Sequence, residues 1–429
     1  MTKLQEKQLG FKGSITPFLS LVFLLLLSLA GAMLQSVSIQ TAKSIRRAEM
    51  SLALENVFAE YHVELLEKYE VFVKEGSSKR DIVSRLEFYG VTDTEHKIVK
   101  STLLSDGHGQ AFYEQALASM GQTAEETMIP IQAFSEEKEK EIQEQFEGLE
   151  MPTENNPIEA VNQLRKSSLL SLVYPNREEL SNQNVQLEQL PSHRTLETGI
   201  EASQETSEGS VKNQCLFMLY LMDHFSNMHK SFEEHPLAYE VEYLIGGKSS
   251  DQENLKVVAE KLMGVRMAVN YAYLMTDQAR QAEAEAVAMG LCSLVAAPEA
   301  APVVKQALLA AWAYGESIVD VRLLLKGEKV PLVKTMESWQ LQIGNLLQLK
   351  NGEAVAGEAS VKEGVTYEDY LKAFLVAQDR EILCMRALDL LELNTGIQVD
   401  HCITQLEIKS TSKLQRNVTY TFQTNYQYQ

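Results

Sequence analysis

Cysteine is scarce in this chain: Cys215, Cys292, Cys384 and Cys402 are the only four in 429 residues. Their spacing pairs none of them locally, which excludes a disulfide-built scaffold and leaves no zinc-type ligand pair. Cys384 and Cys402 are free to meet in space, but buried thiols are the simpler reading. Cations are also short. Lys and Arg number 39 against 59 Asp and Glu, a formal charge of −20. Such a chain does not neutralise a phosphate backbone, so no nucleic-acid partner is expected, and an anionic lipid surface is a poor match on the same ground. Missing as well are an internal repeat, a serine or cysteine nucleophile motif and a second apolar stretch long enough to span a bilayer. What is present in bulk, 45% hydrophobic and 23% charged residues, is the composition of a globular protein. The length suits two or three structural units.

The most informative absence is local. No charged residue occurs from position 13 to position 42, and 18–33 is almost wholly apolar. Pro17 suits the first turn of a helix, and Ser14 or Thr16 can cap it. A helix from Pro17 to the Gln35 region rises about 28–30 Å, enough for the hydrocarbon core of a bilayer. A cleavable signal peptide is the competing reading, with Lys3, Lys7 and Lys12 as its basic start and Ala30, Gly31 and Ala32 as its small-residue site. The apolar run outlasts a signal h-region and continues into helical sequence, which favours an uncleaved anchor. Lys43, Arg46 and Arg47 flank the far side, so basic residues alone do not orient it. The short arm 1–12 is placed in the cytoplasm, 13–42 in the plasma membrane as a single pass, and the acidic remainder outside the cytoplasm.

Beyond the anchor, 44–75 reads as one stalk helix, with Leu54, Val57, Phe58, Tyr61, Leu65 and Tyr69 at helical spacing, ended by Gly76. The rest of 43–121 is a small α/β segment: helices at 81–89 and 109–120, and a strand at 97–103. Residues 122–214 change character, rich in Glu, Gln, Ser and Asn. They read as an acidic, largely disordered insertion, of which deletion of about Ser135 to Glu208 is expected to leave the fold intact, with 169–174 its one apolar island. Residues 215–429 read as a helical bundle closed by a β-hairpin. Helices are expected at 215–222, 251–275, 283–297, 303–325 and 367–394. The alternation of Leu237, Tyr239, Val241, Tyr243 and Ile245 predicts a strand, which can join the hairpin 402–408 and 418–424 in one sheet. The fold class is α+β, mostly helical: a transmembrane helix continuing into a stalk, then a bundle with a small antiparallel sheet.

Four constellations invite chemistry. Gly246, Gly247, Lys248 and Ser249 sit between a predicted strand and a helix, as in a phosphate-binding loop. That motif needs a further glycine where Glu242 stands, a charge that would repel phosphate, so the junction reads as a turn with Ser249 or Ser250 as helix cap. His224, His229 and His235 are spaced five and six apart, which puts no pair on one helical face. Glu316 and Asp320 lie one helical turn apart with Arg322 nearby. Paired carboxylates can act as acid and base, but ion pairing with Lys248, Arg266 or Lys329 is the preferred reading. No catalytic, cofactor-binding or metal-ligating residue is assigned, no cofactor is expected, and the chain is read as not an enzyme.

Several segments together resemble an uncharacterised family of membrane-anchored proteins from Gram-positive anaerobes. They are 13–21, 58–69, Tyr239 to Lys248 with Asp251, 311–317 with Asp320, 329–334 and 386–394, so the resemblance leaves out 122–214. More remotely, the anchor is similar to TadE/TadG-like minor pilins of the Flp (tight-adherence) pilus. It departs from the prepilin pattern at Phe18, five residues after Gly13, where prepilins carry Glu. The resemblance implies a cell-envelope accessory or assembly component of a Tad/Flp-like pilus or secretion system, with the lipid bilayer and proteins of that apparatus as partners. The alternative is a membrane-tethered extracytoplasmic enzyme or ligand-binding module.

Overall fold

The computed structural model describes residues 15–121, 169–174, 176–202, 210–232, 235–294, 297–345, 364–415 and 418–428. Helix α1 (Ile15–Ala59) is the first described element and runs unbroken through the whole apolar stretch. Its first half is bare: Phe18, Leu24 and Leu34 are about 70% exposed. Its second half buries Met50, Ala53, Leu54, Val57 and Phe58, spaced three, four, seven and eight residues along one face. The predicted stalk to position 75 ends sixteen residues early, at Ala59. A short helix α2 (Val63–Tyr69) follows, capped by His62 and closed by Glu70 in the left-handed conformation. The chain then folds back, and the His62 N–H donates to the Val73 carbonyl at 2.9 Å. Val71 and Val73 are both buried, a two-residue period that helical counting through Tyr69 and Phe72 overlooks.

A four-stranded antiparallel sheet packs on α1. Strand β3 (Cys402–Lys413) is its centre, with β2 (Thr94–Leu103) along one side. On the other side lie β4 (Thr419–Gln427) and the short β1 (Lys74–Glu75). Helix α3 (Lys79–Phe88) completes the layer over it. Between them sits one core, made of the buried face of α1 with Ile82, Leu86, Leu406, Ile408 and Phe422. Phe58 stacks on Tyr426 at 4.5 Å between ring centroids. The expected hairpin of the last two strands is present. The partner expected at 237–245 is not.

The second, larger core belongs to the bundle. Its helices are α4 (Asp106–Met120), α5 (Leu169–Val173), α6 (Val211–His224), α7 (Glu240–Gly246), α8 (Asp251–Thr276), α9 (Gln278–Leu294), α10 (Ala301–Leu325), α11 (Tyr367–Ala377) and α12 (Arg380–Thr395). Helix α10 lies between α8 and α9, and α7 packs on α8, α11 and α12. Pro302 sits in the first turn of α10, where its missing N–H costs nothing. The region 237–245 is therefore helical in its second half, against the strand expectation. Its alternation was deceptive because Glu240 and Glu242, taken for the solvent face, are fully buried. The single helix predicted over 367–394 is two. The first ends at Ala377, where Gln378 turns extended, and Asp379 caps the second by accepting the N–H groups of Glu381 and Ile382.

The acidic insertion needs the largest correction. Its stretches 122–168 and 203–209 lie outside the described residues, but 169–202 is built into the bundle. Leu170, Leu172, Val173, Leu180 and Leu190 are buried in the main core. The Ser192 N–H donates to Asp389 at 2.8 Å, and Arg194 pairs with both Asp400 and Glu392 at 2.8 and 3.0 Å. The Gly199 N–H donates to Asp106 at 3.2 Å. Sparse leucines in polar sequence were enough, because each reaches a core supplied by other helices. Leu190→Ala is thus expected to lower the stability of the fold by about 2–5 kcal/mol, the usual cost of emptying a buried leucine site. Chemical denaturation measures it, and an unchanged midpoint would show that the segment is a passive wrap.

Candidate functional site: a buried charge network and an open sheet face

Glu316 and Asp320 project from the same face of α10 into the bundle and are fully buried. They meet two cations. The Lys334 ammonium lies 2.6 Å from Glu316 Oε1 and 2.6 Å from Asp320 Oδ1. The Arg266 guanidinium reaches Asp320 Oδ2 at 2.9 Å. Arg266 also donates to the carbonyls of Pro331 and Leu332 and to the Tyr370 hydroxyl, at 3.0, 3.2 and 3.3 Å. Asn270 bridges Asp320 and Ser317 at 2.9 and 3.1 Å. Glu316 is further held by the N–H groups of Gln340 and Leu341 at 3.0 and 2.7 Å. Two anions and two cations thus close on each other, and backbone N–H groups add to the acceptor bonds of Glu316.

Of the three cations considered for these carboxylates, only Arg266 reaches them. Lys248 and Lys329 are exposed, and Lys334 takes the place expected of Lys248. Sequence spacing held no signal for Lys334, because a loop carries it back across the bundle. Arg322, the other candidate on this helix, donates from Nε to the Leu172 carbonyl at 2.6 Å and pins the 169–173 helix. Burial is the first cause that raises the Glu316 pKa, Lys334 opposes it and Asp320 adds to it.

The glycine junction is a helix-to-helix turn rather than a strand-to-helix loop. Gly247 ends α7 with φ of +61°, the left-handed position where a side chain is strained, and a Cβ there would run into the Arg386 guanidinium. Arg386 itself caps α7, donating to the Leu244 and Ile245 carbonyls at 2.7 and 3.0 Å. Asn254 clasps both backbone groups of Lys248, at 2.7 and 3.0 Å. Of the two serines offered as caps, Ser250 caps α8 through the Glu253 N–H. The backbone amides of this turn are in use.

The histidines serve the fold separately. His224 Nδ1 faces the Tyr220 carbonyl, His229 Nε2 the Leu325 carbonyl and His235 Nδ1 the Glu240 carboxylate, at 3.0, 3.1 and 3.0 Å. All four cysteines are free. Among the described residues no three of His, Cys, Asp and Glu are grouped to hold a metal ion.

Sequence reading passed over a further buried acidic set around α7. Glu240 accepts from the Ser226 N–H and Oγ at 2.8 and 2.9 Å. Asp251 accepts from Ser181, Ala238 and Tyr239, and Asp389 from Ser192 and Tyr243. Glu242 takes the Met228 N–H and the Tyr367 hydroxyl at 3.0 and 2.7 Å, both on Oε1, while its other oxygen has no partner. Burial pushes the Glu242 pKa from 4.5 to about 7, against those two hydrogen bonds.

The outward face of the sheet is different. Lys97 on β2 lies directly opposite Lys409 on β3, a like-charge pair that a sheet ordinarily avoids. The two line an open hollow of about 500 Å³ with Glu95, Thr411, Gln423 and Ile200.

Residues 147–414 match the model of a family of unknown function, DUF5702. The chain belongs to that family. The DUF5702 match begins at 147, inside the segment that the resemblance above leaves out, and so takes in Arg194 and the leucines that dock on the bundle. It holds the charge network, the α7 acids and β3, whereas α1 to α4 lie before it. No curated protein and no solved structure gives a match.

Two outcomes follow from the interior. Lys334→Met leaves two buried carboxylates to one arginine and should cost about 3–5 kcal/mol, while Lys248→Ala should stay within about 0.5 kcal/mol of the parent; thermal melting of both tests the assignment, and a reversed ranking would refute it. Glu242 binds its proton more tightly folded than unfolded, so stability falls as pH rises from about 4.5 through about 7. Glu242→Gln should match the parent near pH 5 and exceed it by up to about 3 kcal/mol near pH 8. Parallel denaturation curves at the two pH values would contradict the buried-acid reading.

Proposed function

We propose that this member of DUF5702 is a non-enzymatic single-pass membrane protein. It is held in the plasma membrane by the first half of α1, and its folded head lies outside the cytoplasm. The observation that carries the reading is that half-helix. It is the one described helix long and apolar enough to cross a membrane, and none of its most apolar stretch is buried. An apolar face of that extent in water would be a severe aggregation liability. The head meanwhile spends its buried charges on one another and on backbone, which supports a structural rather than a catalytic role. The finer assignment, an accessory or assembly component of a Tad/Flp-like pilus or secretion system, rests on the likeness of the anchor to minor pilins. A second reading, a membrane-tethered ligand-binding module, is favoured only by the hollow at Lys97 and Lys409.

Glu188 is exposed on the head. A Glu188→Cys variant should react with a membrane-impermeant maleimide on intact cells; reaction only after lysis would reverse the orientation. Crosslinking in the native cell followed by mass spectrometry should recover components of an envelope apparatus. A set of partners drawn wholly from the cytoplasm would end the assembly reading.

A further inference from the structure

The structure assigns the hairpin end of the sheet, with Lys43, Arg47 and Lys413, as a docking surface for anionic lipid headgroups, an inference that rests on the anchor reading above. The registers give its position. Lys43 lies over the Tyr420 ring, its ammonium 5.3 Å from the centroid. Tyr420 pairs with Ser412, and Thr419 pairs with Lys413. Farther along, Phe58 stacks on Tyr426, so α1 and β4 run side by side in the same direction. The Lys413–Thr419 end of the β3–β4 pair therefore lies back along α1, toward its bare apolar half.

Helix geometry sets the height. A hydrocarbon core takes about 20 helical residues. With such a span ending between about Gln35 and Ile39, a rise of 1.5 Å per residue brings Lys43 roughly 6–12 Å beyond it, at the headgroup layer. Helix α1 is unbroken through this stretch, so no linker lets the head lift away. The end of the sheet is held at the lipid surface by the same helix that crosses it.

Charge supports the contact. In a chain of net −20, the described residues of this end include Lys43, Arg46, Arg47 and Lys413 against Glu49, Asp93 and Glu95, the last opposite Thr411. Arg46 and Glu49 pair with each other at 3.1 Å. That leaves Lys43, Arg47 and Lys413 against Asp93 and Glu95, and Arg47 and Lys413 are exposed. The overall acidity that makes the chain a poor match for anionic lipid is thus reversed where the fold brings it to the membrane. Basic residues at such a surface strengthen attachment roughly five-fold each, through interactions that salt screens.

The test uses the full chain in two nanodiscs, one of phosphatidylcholine and one with about a third phosphatidylglycerol, read by hydrogen exchange at the β3–β4 turn. Exchange there should be several-fold slower in the anionic disc. The difference should vanish in high salt and in the K43Q/R47Q/K413Q variant, while the sheet centre around Ile408 exchanges alike in all samples as a check on folding. Equal exchange at the turn in the two discs, or a difference that survives in the variant, overturns the inference and leaves the anchor reading standing. Failure of the folded chain to enter either disc overturns the anchor reading and this inference with it.

Discussion

The bundle depends on four charges buried together. Arg266 comes from α8, Glu316 and Asp320 from α10, and Lys334 from the loop that follows. None of the four can leave the others without stranding an ion in an apolar interior. Such a group adds little net stability over a hydrophobic substitute, because desolvation takes back most of the Coulomb gain. Its effect is selection. Helices α8 and α10 must meet in the one register that brings Arg266 to Asp320, and the loop must return so that Lys334 closes the pair. Glu316 then draws in the Gln340 and Leu341 amides, which sets Leu341 where both tryptophan indoles reach its carbonyl at 2.8 Å. The aromatic floor of the bundle is thus ordered by an electrostatic requirement.

The same requirement explains what was legible in the sequence. Helices α6, α8, α9 and α10, the terminal hairpin and the apolar stretch of α1 announce themselves through periodicity or composition, because long runs of apolar residues outline them and the buried charges of α8 and α10 interrupt those runs too seldom to hide them. Reading failed where polar residues turn inward. Glu240 and Glu242 made α7 look like a half-exposed strand. The polar background of 169–202 hid leucines that dock one at a time, and a break at Gln378 and Asp379 divides two helices within a seemingly continuous apolar stripe. For the candidate site, Arg266 and the two carboxylates could be grouped from helical spacing and charge, but Lys334 could not. A loop contact across the bundle leaves no periodic trace.

The two cores divide the molecule differently from the family match. The family model begins after α1 to α4 and holds nearly all of the bundle together with β3. Strand β3 nevertheless has its neighbours β1 and β2 in the region that precedes the match. The bundle and the layer of α1, α3 and the sheet are therefore joined through a shared strand as well as through chain continuity. Gln115 and Asn394 add side-chain ties at that seam: Gln115 accepts the Phe72 N–H at 2.7 Å and Asn394 donates to the Tyr69 hydroxyl at 2.8 Å.

The central place of β3 has a consequence for biosynthesis. The strands it must join, β1 and β2, leave the ribosome some 300 residues before it does: Lys74 waits for Ile403 and Ile98 for Ile408. Through most of translation the buried face of α1, from Met50 to Phe58, has no sheet to cover it. Contacts so distant along the chain close late and slowly. A ribosome that stops anywhere before the β3–β4 hairpin releases a product with a portion of the bundle and an uncovered apolar stripe on α1. Such a product is recognisable to quality-control machinery by that stripe, and completion of the last thirty or so residues is the event that hides it.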